Sequence, residues 1–116
     1  AALSLYHDNA LALHDQIARL FDSEPNPAEV LALAQRAGSG IANAPIFRRM
    51  SGLLLYELAR RAKQAATAQD AAHWAERWGE AGQAFNAAEK LHLDYGAVII
   101  SFFHALHSRK PFTLSA

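Results

Sequence analysis

Apolar residues return at intervals of three and four through most of the chain, which is the period of a helix with one buried face. Tyr6, Ala10, Leu13, Ile17 and Leu20 form the first such stripe and predict a helix over about residues 4–21. Asp22-Ser-Glu-Pro-Asn-Pro breaks it, since two closely spaced prolines cannot continue a helix. A second helix starts with Asn26 as cap, Pro27 in the first helical position and Glu29 three residues after the cap. Val30, Leu31, Leu33, Ala34 and Ala37 give its apolar side, and Gly38 supplies a left-handed stop before a flexible connection over 38–44.

The third helix, residues 45–63 (PIFRRMSGLLLYELARRAK), is the most distinctive stretch. At 100° per residue, Phe47, Met50, Leu54 and Leu58 share the centre of one face, with Ile46 and Leu53 on one flank and Leu55 on the other. So wide an apolar arc predicts contact with at least two other helices. The remaining row reads Arg49, Gly52, Tyr56, Arg60, Lys63, basic with a tyrosine in its middle. A fourth helix starts at Thr67 or Asp70 and runs to about Leu91, with a seam of Ala71, Trp74, Trp78, Ala81, Phe85 and Ala88. Gly79 and Gly82 weaken it by about 1 kcal/mol each and mark a place for a close crossing or a bend.

Asp94 caps the fifth helix, expected over residues 95–109, whose apolar face is Val98, Ile99, Phe102, Phe103 and Leu106. Its middle has strand-like composition, but a lone strand would have no partner in this chain. Pro111 ends it, and the tail is extended, with Phe112 and Leu114 able to pack back on the body. The fold expected is all-α, a compact five-helix bundle-like domain over residues 1–116, with helices 3 and 5 interior; a break at Gly79 or Gly82 would make six helices.

Composition narrows the function classes. With 52% hydrophobic and 19% charged residues the chain is not of disordered type, and no apolar run approaches the roughly 20 residues of a membrane span. Cysteine is absent, which removes disulfide and thiolate chemistry. No basic-then-apolar leader is visible, and the expected setting is cytoplasmic. The formal net charge is zero, so no overall field draws in nucleic acid. The charge is nevertheless segregated: residues 36–63 are basic, while 1–35 and 64–95 are acidic, which predicts compensation between neighbouring helices.

Motifs for chemistry are sparse. His104 and His107 stand three apart on one helix, but no further ligand accompanies them, and neither metal nor cofactor is expected. His73 lacks the small, Lys-Gly-bearing turn that follows the histidine of a phosphotransfer domain. Residues 28–49 imitate a helix-turn-helix, but the connection exceeds the three to four residues of that turn. Residues 78–88 resemble the second helix of a tetratricopeptide repeat; no second copy follows, and no function carries over. No nucleophile elbow or phosphate loop is present, and Glu57 beside the arginines reads as a salt bridge rather than an acid or base.

The expectation is a non-enzymatic helical protein–protein interaction protein. It would be a small bacterial-type regulator (anti-activator, adaptor or chaperone) that binds another protein and alters its assembly. Helices 3 and 5 offer surplus apolar surface, which predicts a homodimer or a stable complex. Arg49, Tyr56, Arg60 and Lys63 are the candidate partner-binding residues, supplying rim contacts to an acidic partner. A nucleic-acid-binding regulator is the alternative, and a small ligand-binding domain or enzyme, betrayed by a concave pocket with convergent polar groups, is the third.

Overall fold

The computed structural model describes residues 2–22 and 26–112, the stretch 2–11 as backbone alone. Its helices are α1 (Ala2–Asp22), α2 (Pro27–Ala37), α3 (Ala44–Gln64), α4 (Ala68–Lys90) and α5 (Tyr95–Ser108), with one 3-10 turn at Ile41–Asn43. No strand occurs among the described residues. The all-α, five-helix expectation holds. Tyr6, Ala10 and Leu114 lie outside the residues whose side chains are described.

Local chemistry sets the boundaries. Asn26 Oδ1 accepts from the Ala28 N–H at 3.0 Å, and Pro27 opens α2 as predicted. Gly38 ends α2 at φ +61°, its N–H donating to the Ala34 carbonyl. Between the two expected starts for α4, Thr67 is the cap: its hydroxyl accepts from the Asp70 N–H at 3.0 Å. Asp94 does the same for Ala97 at 3.2 Å, and Arg109 closes α5 in the left-handed conformation. Helix α4 runs unbroken through Gly79 and Gly82.

Two antiparallel pairs build the body. The Arg48–Glu89 ion pair, 2.8 Å, joins the start of α3 to the end of α4. The Gly96 N–H donates to the Gly38 carbonyl at 3.0 Å, joining the start of α5 to the end of α2. Helix α1 runs alongside α3 in the same direction, His14 meeting Tyr56 and Ala18 and Asp22 meeting Arg61. Phe47, Met50, Leu54 and Leu58 are fully buried, as the spacing predicted. Phe102 sits among Phe21, Phe85, Phe103 and Phe112, with ring centroids 5.1–6.0 Å away. Phe47 stacks on Tyr95 at 4.4 Å.

Three expectations are corrected. Trp78 does not belong to the seam of α4: it is 50% exposed, and Arg77 is buried instead. The indole could not replace that arginine, whose Nη1 donates to the Lys110 carbonyl (3.2 Å) and Nη2 to Glu80 Oε2 (3.2 Å). Glu80 Oε1 in turn accepts the Phe112 N–H at 2.9 Å, so Arg77 and Glu80 clasp the segment after α5 and seat Phe112 in the core. Arg77 Nε stands 3.1 Å from Glu80 Oε1 without hydrogen-bond alignment. Ile46, expected on the core face of α3, is exposed: it stands in the first turn of the helix, beside a hollow lined by Leu13, Arg36 and Met50, while Glu57, three turns further along the same flank, is buried. Helix α5 is interior on one side only: Ala97, Ile100, Ser101 and His104 form an exposed row.

Candidate functional site

The predicted basic row on α3 lies on the surface. Arg49, Tyr56 and Lys63 are exposed, Tyr56 by 58%, and the tyrosine ring tilts against His14 at 5.8 Å. Arg60 is more committed than the row suggests. It forks onto Glu57 through Nε (3.0 Å) and Nη2, and its Nη1 donates to Gln64 at 2.9 Å.

Glu57 is the centre of this arrangement, 1% exposed. Arg61 Nε donates to its Oε1 at 2.9 Å, and Arg61 Nη1 pairs with Asp22 at 2.7 Å. The Arg61 guanidinium also covers the Phe21 ring (5.0 Å) and the Trp74 ring (5.7 Å), so one side chain ties α3 to α1 and α4. Burial opposes ionisation of Glu57, but hydrogen bonds from Arg60 and Arg61 outweigh it and hold the carboxyl below its ordinary value. The hydrogen bond from Arg61 lowers Asp22 likewise. The salt-bridge reading of Glu57 is what the geometry shows, and Arg48–Glu89 and Arg61–Asp22 are the predicted compensation between helices.

A second feature was not visible in the sequence. A cleft of about 650 Å³ opens where Phe21, the first half of α4 and the end of α5 meet. Trp74 and Leu106 give it apolar walls, and Asp70, His73, His107 and Arg109 line it with polar groups. His107 Nε2 donates to the Leu20 carbonyl at 2.8 Å, which fixes where its proton sits. The cleft is concave and lined by polar and apolar side chains together. Its members come from one face of α4 and from the ends of α1 and α5, so no local spacing brings the three groups together.

The third feature is the outer surface of α2 and α5. Leu31 (49% exposed) and Ile100 (44%) border a hollow of about 370 Å³ lined also by Pro27, Val30, Phe103 and His104. Helix α5 contains no Asp, Glu, Lys or Arg. His104 and His107 therefore face different surroundings, one at this hollow and the other in the polar cleft. Among the described residues, no cluster of three or more His, Asp or Glu is placed to hold a metal ion. No described helix is long and apolar enough to cross a membrane.

No family model matches this chain, and neither a curated protein nor a solved structure matches it.

Proposed function

We propose that this chain is a non-enzymatic protein–protein interaction domain of a small regulator, in the class of adaptors, anti-activators and chaperones, acting in the cytoplasm. The observation that carries the reading is the α2–α5 surface, where an uncharged helix leaves apolar side chains in water beside a hollow. The α3 row supplies a second contact of different chemistry. Tyr56 is its anchor, Arg49 and Lys63 are the cations that meet an acidic segment, and Arg60 keeps the row in place through Glu57. Nucleic-acid binding is the weaker alternative, because Arg48, Arg60 and Arg61 already face carboxylates within the fold.

Affinity capture with matched variants tests this. A genuine partner is retained by the wild type and by Lys90→Ala, and lost at least ~10-fold with Tyr56→Ala or Arg49→Ala. A retained set that does not distinguish these proteins, or duplex DNA binding that falls steeply with salt, would sink the reading.

The polar cleft favours a second reading, a small-molecule-binding domain. Trp74 lies in its wall, so a planar ligand bound there changes tryptophan emission, and Trp74→Phe removes the change. Trp78 persists in that variant as an internal reference. Screens of aromatic carboxylates and nucleosides that leave the emission unaltered count against it.

A further inference from the structure

We infer that the α2–α5 face seats a second copy of this chain, with α5 packed antiparallel to α5 of the copy about a two-fold axis near Ser101. The inference rests on the interaction-domain reading and names the occupant of its principal surface.

Charge points to a copy. A face that meets itself across a two-fold axis must avoid placing a charge against the same charge. Helix α5 satisfies this completely, since its exposed row is Ala97, Ile100, Ser101 and His104. The charges of α2 are kept away as well: at 100° per residue, Glu29 and Arg36 fall more than about 120° from Leu31. Along the middle of this row an acidic or basic partner would find no counter-charge, whereas a copy needs none.

The ends of α5 set the direction. Asp94 stands exposed at its start, and Arg109 and Lys110 stand exposed just beyond its end. Antiparallel packing brings Asp94 of one copy toward Arg109 and Lys110 of the other, twice, and opposes the two helix dipoles. Parallel packing would set like charges together. Ser101 lies midway between these ends, so the axis passes close to it. Shape agrees with this placement. Small residues (Ala97, Ser101) alternate with larger ones (Ile100, His104) along the row, and the Ile100 ridge of each copy lies beside the hollow of Val30, Leu31 and Phe103 on the other.

Light scattering with size-exclusion chromatography is the first measurement. The wild type is expected at twice the 12.7 kDa of the chain. Ile100→Glu and Leu31→Glu, each placing a charge in the contact, are expected to raise the dissociation constant by ~100-fold with an unchanged helical circular-dichroism spectrum. Tyr56→Ala is expected to leave the dimer intact.

Because the chain has no cysteine, Ser101→Cys reports the axis directly. Mild oxidation should link it into a covalent dimer, whereas Gln83→Cys, exposed on α4, should remain single. A dimer insensitive to Ile100→Glu and Leu31→Glu, with no Ser101→Cys link, overturns the proposed surface. A monomeric wild type at hundred-micromolar concentration overturns the second copy altogether. If that monomer still retains a partner that Ile100→Glu loses, only this inference falls; if it retains none, the interaction-domain reading falls with it.

Discussion

A carboxylate withdrawn from water must be answered by fixed donors, and Glu57 receives them from Arg60 and Arg61. Because its carboxyl is held below the ordinary range in the folded chain, its contribution to stability is fully present above the unfolded carboxylate pKa, about 4.3. That contribution is lost as the pH falls through the folded value, and Asp22 acts in the same direction. The melting temperature should therefore change little through Glu57 between pH 7 and pH 5 and fall below about pH 4. Glu57→Gln should cost about 3 kcal/mol at pH 7 and flatten the acid limb. Thermal melts of both proteins across pH check this, and an acid limb of unchanged steepness in the variant would refute it. Sequence spacing places Glu57 beside two arginines, but it could not show that the carboxylate is inside. Equally, a charged Arg77 and an apolar Trp78 invite the wrong choice, because the groups that reward burying the arginine lie beyond α5, at Lys110 and, through Glu80, at Phe112.

At the scale of the element, two classes of helical glycine separate cleanly. A Cβ built on Gly96 would sit 2.7 Å from the Ala34 carbonyl oxygen, so this glycine is where α5 and α2 cross closely. At Gly79 and Gly82 an added Cβ meets nothing within 4 Å among the described residues, so the close crossing their pairing suggested is not made by any of them. Gly79→Ala and Gly82→Ala should each stabilise by up to ~1 kcal/mol through helix propensity. Gly96→Ala should destabilise by about 1–3 kcal/mol, because backbone must move. Urea denaturation midpoints decide this, and a loss of stability at Gly79 or Gly82 would reveal a contact not present in the single chain. Existence, order and caps of the helices are legible because they depend on neighbours three and four residues away. The role of a glycine is not, because it depends on which backbone arrives from elsewhere.

For the whole molecule, the sequence identifies the core face of α3 and the aromatic cluster of α5, since both are continuous apolar stripes. It also shows that α5 lacks charge, but not which row of α5 the other helices leave uncovered. The polar cleft is harder still, as Asp70, His73, His107 and Arg109 converge only once α4 and α5 are docked. One architectural fact has a kinetic meaning. Helices α3 and α4 are joined by a short turn, whereas α2 and α5 meet with that entire hairpin threaded between them in sequence. Loop-closure entropy favours the hairpin as the earlier contact and the α2–α5 pair as the later one. The hydrogen bond from Gly96 to the Gly38 carbonyl is thus a long-range closure, and the uncharged face exists only after it has formed. A nascent chain has no such surface to offer, and the copy inferred to seat there would have to wait for this late contact.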